Sequence, residues 1–189
     1  MKALFLDGSR NNETDDIQSL IIEELEKKGF EFDSILLRDI NVAACQGCFE
    51  CWVRSPGECK IDDYSREVSK KMVQSDLIIH FTPITFGGYS STIKYVIDRF
   101  IPNILPFFTK RKGETHHKYR YKKRASIIAV GFMEESNEEE ESTFKDLVNR
   151  NTLNMGAPVH KAIIFIKNQD KSNFINKFKN ILEQVEAKI

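Results

Sequence analysis

"KALFLDGSRNNETDD", residues 2–16, passes from a short apolar run through a glycine into a polar loop. The apolar run is continuous rather than alternating, which is typical of a strand that is buried on both faces of a parallel sheet. Apolar residues then recur at helical spacing from Ile17 to Leu25, and the basic residues and glycine of 27–29 form a helix stop signal. The stretch therefore predicts a strand, a loop and a helix in succession.

The same unit recurs along the chain. Four further apolar runs predict four further strands, at residues 30–39, 76–83, 125–131 and 160–167, and helical patterns separate or follow them. Strands of this kind alternating with helices indicate an α/β protein with helices on both faces of a parallel sheet. We expect a flavodoxin-like three-layer sandwich with a five-stranded sheet of order 2-1-3-4-5, and a ligand at the carboxyl edge between strands 1 and 3.

The bulk composition limits the class of function. A chain of 189 residues suits one domain spanning 1–189, and its 28 basic and 28 acidic residues give no net charge. This balance does not favour a nucleic-acid partner. The first apolar run is too short for a signal peptide, and a membrane span needs about twenty apolar residues. We expect no membrane partner and a cytoplasmic location, where thiols stay mostly reduced.

All four cysteines lie in one segment, CQGCFECWVRSPGEC, residues 45–59. A disulfide staple, a zinc site and an iron–sulfur cluster are the competing interpretations, and a reducing compartment disfavours the first. Two successive gaps of two residues gather the thiols compactly, as a cubane cluster requires. Zinc sites with four cysteines more often use two separated pairs. A packed lid of reduced thiols without metal is a further interpretation.

Polar residues follow the first strand, and a glycine pair follows the third. Short hydrogen-bonding side chains, one arginine and the helix N-terminus suit a phosphate monoester after strand 1. After strand 3, Pro83 stiffens the backbone, and Gly87 and Gly88 let a flat group approach the main chain. Ser90 is the expected N-cap of the next helix. Because both loops leave the same edge of the sheet, we expect them to share a ligand.

The loop GSRNNET (8–14), the cysteine segment and TPITFGGYSSTIKYVIDR (82–99), in this order on a five-stranded α/β pattern, resemble the NAD(P)H-dependent FMN reductases. Within that family the chain is similar to the iron–sulfur flavoproteins. It lacks the proline that usually follows the serine of the first loop, and it has Thr85 where a tyrosine is frequent. The resemblance implies a noncovalently bound FMN, NAD(P)H as co-substrate, and chemistry carried by FMN without a catalytic side chain.

The resemblance also implies the residues of each site. The phosphate of FMN would be held by Ser9, Arg10, Asn11 and Thr14. The isoalloxazine would be lined by Pro83, Ile84, Thr85, Phe86 and Gly87. A [4Fe-4S] cluster, if present, would take Cys45, Cys48, Cys51 and Cys59. A homodimer or dimer of dimers and a ferredoxin-type redox partner are expected. A flavodoxin-like electron carrier without its own substrate, and a zinc-stabilised binding module, are the alternatives.

Two charged tracts interrupt the pattern. Residues 110–124, within a basic insertion at about 105–124, contain eight Lys and Arg, and residues 134–141 contain six Glu. We expect solvated loops of opposite charge that attract each other, or a basic landing place for an acidic redox partner or nucleotide phosphates.

Ionisable residues elsewhere suggest structural roles. We expect helix capping from Asp62 and Asp63, and structural hydrogen bonds from Asp98 and Arg99. His80, on an apolar strand, is expected to be a core histidine with its hydrogen bonds satisfied. The sequence suggests no catalytic role for three other histidines: His116, His117 and His160.

Overall fold

The computed structural model describes residues 1–11, 14–111 and 113–189; Asn12 and Glu13 of the first loop and Lys112 of the basic tract lie outside them. The strands are β1 (Lys2–Asp7), β2 (Glu31–Leu36), β3 (Leu77–Pro83), β4 (Ile104–Arg111), β5 (Glu114–Tyr119), β6 (Ser126–Met133) and β7 (His160–Ile166). The helices are α1 (Asp15–Lys27), α2 (Glu50–Val53), α3 (Ser65–Gln74), α4 (Ser91–Asp98), α5 (Glu138–Met155) and α6 (Lys171–Glu186).

Five strands form one parallel sheet in the order β2-β1-β3-β6-β7. The expected order 2-1-3-4-5 is confirmed, because β6 and β7 are the fourth and fifth strands of the main sheet. In register, Phe5 of β1 lies between Ser34 of β2 and Ile79 of β3. The strand order reverses between β1 and β3, so their carboxyl ends border a crevice where α/β proteins bind ligands.

Each face of this sheet is covered by helices. On one face, Phe5 and Ile79 pack with residues of α1 and α6 in a cluster of fully buried side chains. On the other, Leu4 and Leu6 pack with residues of α3, α4 and α5. Because successive side chains of a strand point to opposite faces, a strand covered on both sides must be apolar throughout. This requirement explains the continuous apolar runs.

The basic tract departs from the expected loop. β4 and β5 pair antiparallel as a separate hairpin, with Thr109 opposite His116 and Phe108 opposite His117. The prediction of a loop was wrong here because the many cations give no apolar strand pattern, and His116 is the one residue of the two described strands that is buried. The hairpin turn contains Gly113 at φ +83°, a conformation that glycine favours.

The acidic tract is also partly helical. α5 begins at Glu138, and the Asn137 side chain accepts hydrogen bonds from the N–H groups of Glu139 and Glu140. Glutamates in the first turn of a helix are stabilised by its dipole, which is why the tract folds into the helix and not into a loop. Glu141 pairs with Lys145 in the same helix and Glu134 pairs with Lys167 after β7, and in the described part of the chain no ion pair joins the acidic tract to the basic tract.

Among the described residues, none of the helices combines the length and the apolar character that crossing a bilayer requires.

Candidate functional site

Gly8 joins the two loops that border the crevice. Its N–H donates a hydrogen bond of 2.7 Å to the carbonyl of Phe81, at the end of β3. A Cβ at this position would lie 2.5 Å from Ile93 Cγ1 and 2.6 Å from Ser90 Oγ, so no larger residue fits without displacing α4. The loop after β1 therefore lies directly against the loop after β3, as the expected shared site requires.

Ser9 anchors the first loop in the sheet. It is 2% exposed, its N–H donates to Asp7 Oδ1 at 2.7 Å, and its hydroxyl accepts from Arg38 at 3.1 Å. Arg38 also donates to the carbonyl oxygen of Asn11 at 3.1 Å. Sequence analysis missed Arg38, which follows β2 and reaches this loop only because β2 lies beside β1. A cation just after a strand at the carboxyl edge was the available signal.

The remaining residues of the phosphate set lie at the start of α1. Arg10 and Asn11 are exposed, while the Thr14 Oγ1 atom is buried and has no hydrogen-bond partner among the described residues. Thr14 is the N-cap position of α1, yet its side chain does not cap the helix. This hydroxyl is therefore free to bind a ligand at the positive end of the helix dipole.

Two carboxylates occupy the first turn of α1, as the sequence predicted. Asp16 pairs with Lys171 of α6, and the hydrogen bond from that ammonium group holds the pKa of Asp16 below its usual value. The pairing offsets part of the negative charge that would repel an anionic ligand at this helix end.

The second loop contains a tight turn over residues 85–88. Thr85 and Gly88 exchange two backbone hydrogen bonds of 3.0 and 2.9 Å, and Phe86 and Gly87 have φ values of +50° and +70°. These left-handed conformations turn the chain within two residues, and they present the Phe86 ring to solvent at 92% exposure. Ser90 accepts a hydrogen bond from the Ile93 N–H and caps α4, which confirms the predicted N-cap.

These residues fit a ligand with an anionic end and a planar end. The buried Thr14 hydroxyl, the α1 N-terminus and the Arg38 guanidinium lie on one side of the crevice. The exposed turn with its Phe86 ring lies on the other. A cavity of about 180 Å³ beside Arg38, lined also by Thr92 and Tyr95, adjoins this edge. FMN has both ends.

The cysteine segment encloses a second cavity. All four cysteines line a space of about 280 Å³, together with Asp98 and Arg99. Cys51 is buried and Cys45 and Cys48 are exposed, and none of the four is in a disulfide. Burial, reinforced by the three neighbouring thiols, raises the pKa of Cys51 to about 11.

The four thiols fit a thiolate-bound metal group in number and enclosure. Within residues 1–11, 14–111 and 113–189, however, no three His, Cys, Asp or Glu side chains stand together in a metal-binding arrangement.

A buried ion pair frames the cysteine loop. Arg99, 3% exposed, donates to both carboxylate oxygens of Asp63 at 3.1 Å and to the carbonyls of Ala43 and Ile61. Burial alone would raise the pKa of Asp63, but hydrogen bonds from Ser65 and the Ala43 N–H, with the Arg99 charge, lower it below the usual value. The structural hydrogen bonds predicted for Arg99 are confirmed, whereas the N-cap position of α3 is Tyr64 and Asp63, one residue earlier, accepts from the Ser65 N–H at 3.0 Å.

The carboxylates beside this pair have lesser roles. Asp62 is exposed and pairs with Arg66 at 3.0 Å, so the prediction that it caps a helix was wrong. Asp98 pairs with Lys94 one helical turn away, which is a local structural contact.

Aromatic rings connect the cysteine loop to the hairpin. Trp52 stacks on Phe49 at 5.0 Å and contacts the His117 ring at 4.8 Å, and His117 in turn contacts Phe108 at 4.8 Å. The Trp52 indole N–H donates to the carbonyls of Ile101 and Ile104. The hairpin therefore holds α2 in place, a role for His117 that the sequence did not indicate.

His80 lies in the core of the sheet and outside both sites. It is 1% exposed, and neither ring nitrogen has a hydrogen-bond partner among the described residues. The prediction of a core histidine is confirmed, but the expected hydrogen bonds are absent from this part of the chain. Burial lowers the pKa of His80 to about 4.

A larger cavity of about 710 Å³ runs along α3. It shares Cys59 and Arg99 with the cysteine cavity and includes Lys122 and Lys123, but it includes no residue of the two crevice loops. Its volume is therefore not an argument for the site of a flavin.

The sheet order, the helix layers and the crevice between β1 and β3 define a flavodoxin-like α/β protein. The family model of NADPH-dependent FMN reductases matches residues 1–165, and the chain belongs to this family.

Two curated relatives are similar to this chain over part of its length. An iron–sulfur flavoprotein of Archaeoglobus fulgidus is 36% identical over 100 residues, 52% of this chain and 48% of the relative. An iron–sulfur flavoprotein of Methanocaldococcus jannaschii is 33% identical over 116 residues, 59% of this chain and 58% of the relative. The chain spans about half the length of the curated relatives it matches.

The fold is shared with a solved NAD(P)H:quinone oxidoreductase from Methanothermobacter marburgensis. The two structures superpose with a TM-score of 0.69 at 12% identity, and the match covers 95% of this chain and 96% of the other.

Proposed function

We propose that this protein is an FMN-dependent oxidoreductase that moves electrons from NAD(P)H, or from a reduced protein partner, to an acceptor. One observation carries the proposal: the loops after β1 and β3 meet at Gly8, beside a helix N-terminus whose buried Thr14 hydroxyl has no hydrogen-bond partner among the described residues. When bound, FMN supplies the redox chemistry, because it accepts a hydride from a nicotinamide and passes the electrons on.

The protein's own side chains would bind FMN and orient it. Ser9, Arg10, Asn11 and Thr14 would hold the phosphate, and the guanidinium of Arg38 would add a positive charge that the sequence did not suggest. Residues 83–87 would line the isoalloxazine, with the rigid turn at Phe86 and Gly87 as the wall. The roles of these residues are binding and electrostatic, and none of them acts as an acid or base.

The four cysteines would hold a [4Fe-4S] cluster, which would exchange single electrons with FMN and with a partner. Their common cavity and the names of the curated relatives support this assignment. Because the pKa of Cys51 is about 11, its proton leaves near neutral pH only when a metal ion takes its place.

The cellular setting follows from the same assignment. We place the protein in the cytoplasm, as a homodimer or dimer of dimers, with a ferredoxin-type partner. The basic hairpin, with its exposed Phe107 and Phe108, is the surface whose charge suits an acidic partner.

An anaerobic titration tests the function. The purified protein is reconstituted with FMN, NADH or NADPH is added, and the flavin absorbance is followed. Fast bleaching with either nucleotide supports the reductase. Bleaching only with a reduced protein donor would favour the alternative, an electron carrier without its own substrate. A second redox centre in the cysteine cavity would fit such a carrier. A protein that rejects FMN would refute both.

Iron and sulfide analysis after anaerobic purification tests the cluster. We expect both elements in the native protein and their loss in Cys51→Ser, while Cys51→Ser still binds FMN. The chain has one tryptophan, Trp52, next to Cys51, so its fluorescence should be quenched when the cluster is bound. Zinc in place of iron and sulfide would contradict the assignment.

A further inference from the structure

The first turn of α5 packs against the turn at residues 85–88. The Gly87 N–H donates a hydrogen bond of 3.2 Å to Glu140 Oε2. A Cβ at Gly87 would lie 2.7 Å from Thr143 Cβ and 3.3 Å from the carbonyl oxygen of Glu140. The wall proposed for the isoalloxazine therefore rests directly on a helix of the next β–α unit.

Glu140 is held where it can make this contact. Its own N–H is bonded to Asn137 Oδ1 at 3.2 Å, and the Asn137 amide reaches Glu140 Oε1 at 3.5 Å. In a capping box the glutamate at this position usually bonds back to the N–H of the capping residue. Here its second carboxylate oxygen bonds to Gly87, a residue 53 positions earlier in the chain.

The charge of Glu140 is not balanced by a nearby cation. Glu141 pairs with Lys145 at 3.5 Å and Glu134 with Lys167 at 2.7 Å. Glu140 has no ion pair within residues 1–11, 14–111 and 113–189, and it is only half-buried. A fixed negative charge therefore lies against the backbone of the 85–88 turn.

We propose that Glu140 is a positioning residue for the flavin: it fixes the 85–88 turn, and its carboxylate lowers the reduction potential of FMN bound beside that turn. This inference rests on the proposed function. Reduction adds negative charge to the ring system, and a nearby anion disfavours that gain. Because the same carboxylate bonds Gly87, the charge and the turn stay together. The flavin is then a stronger reductant toward its acceptor.

Two variants separate the charge from the hydrogen bond. Glu140→Gln keeps the size and an acceptor oxygen but removes the charge, whereas Glu140→Ala removes both. Glu139→Gln is the matched control, because it removes the same charge one residue away. The Glu139 side chain is exposed and has no hydrogen bond to the turn among the described residues.

The first measurement is the affinity of each protein for oxidised and reduced FMN under anaerobic conditions. We expect Glu140→Gln to bind reduced FMN about tenfold more tightly relative to oxidised FMN than wild type does, a rise of about 30 mV for a two-electron couple. Glu139→Gln should change this ratio less than about twofold, because solvent screens its charge. An equal change in both affinities for Glu140→Gln would overturn the electrostatic role.

The second measurement needs no flavin. Amide hydrogen exchange at Gly87 in the apoprotein should be at least several-fold faster in Glu140→Ala than in wild type, and unchanged in Glu139→Gln. Equal exchange in Glu140→Ala and wild type would overturn the positioning role. If wild type fails to bind FMN, the proposed function and the electrostatic role both fall, while the Gly87 exchange still decides whether Glu140 holds the turn.

Discussion

His80 is an uncommon residue for the middle of a sheet, because a buried polar group without a partner carries an unfavourable desolvation cost. It faces Tyr89 edge-on at 6.0 Å, and neither of its nitrogens is hydrogen-bonded within the described residues. The neutral imidazole is tolerated in this apolar surrounding, whereas the charged form is not. The stability of the fold should therefore depend on pH through this side chain.

The sign of this pH dependence follows from proton binding in the folded and unfolded states. Burial lowers the pKa of His80 from 6.5 to about 4, so between these values the unfolded chain binds a proton that the folded chain does not. Stability is complete above pH 6.5 and falls as the pH drops toward 4. Between pH 7 and pH 5, wild type should lose about 2 kcal/mol more than His80→Leu does.

Urea unfolding at the two pH values checks this expectation. An equal change of the unfolding free energy with pH in His80→Leu and wild type would mean that His80 has a hydrogen-bond partner in the folded protein.

Gly8 is the residue at which the two crevice loops are closest. Gly8→Ala should destabilise the protein by about 1–3 kcal/mol, since the new Cβ would overlap Ile93 Cγ1 and Ser90 Oγ. Combining it with Ile93→Ala, which removes Cγ1, should cost less than the sum of the single changes. Additive values in thermal unfolding would show that the overlap is relieved elsewhere.

At the scale of elements, the Asp63–Arg99 pair connects the start of α3, the end of α4 and the cysteine loop. Asp63→Asn would leave the Arg99 guanidinium buried beside a neutral group. We expect a loss of about 3–5 kcal/mol, which is usual when one partner of a buried pair is removed. Asp62→Asn is the control, because its exposed pair with Arg66 contributes at most about 1 kcal/mol.

Alkylation of Cys51 in the cysteine loop is a second measurement of the effect of Asp63→Asn. In the cluster-free wild-type protein the buried Cys51 should react slowly with iodoacetamide, since its pKa of about 11 keeps the thiol protonated. Asp63→Asn should accelerate alkylation of Cys51 at a pH and temperature where the variant is still folded, and Asp62→Asn should not. Unchanged alkylation in both would show that the loop keeps its structure without the pair.

The sequence predicted those elements whose pattern is set by their own neighbours. β1 and β3 are buried on both faces, so their apolar runs alone define them, and the Ser90 cap follows from local hydrogen bonding. The hairpin was missed because its strands are rich in cations and mostly solvent-accessible, so they show no apolar pattern. Arg38 and Glu140 were missed for a different reason: each acts on a loop that only the folded sheet brings near. No local pattern contains that information.

At the scale of the whole molecule, the crevice, the cysteine cavity and the groove along α3 offer three places for a ligand. The two cavities adjoin through Cys59 and Arg99, while the crevice is built from separate residues. The proposed function therefore requires FMN to act on one edge of the sheet and to leave α3 unaffected. Binding in the groove along α3 would give the opposite outcome, so the two sites can be distinguished.

Hydrogen exchange of the complete chain distinguishes FMN bound in the crevice from FMN bound in the groove along α3. FMN at about one hundred times its dissociation constant should stabilise the fold by about 2.7 kcal/mol. Beyond this global effect, the added protection should be concentrated at residues 8–18 and 84–88. Riboflavin, which lacks the phosphate, should protect 84–88 but not 8–18, because the Thr14 hydroxyl and the α1 N-terminus would have no anion to bind. Protection along α3 instead would place the flavin in the groove and refute the assignment of the crevice.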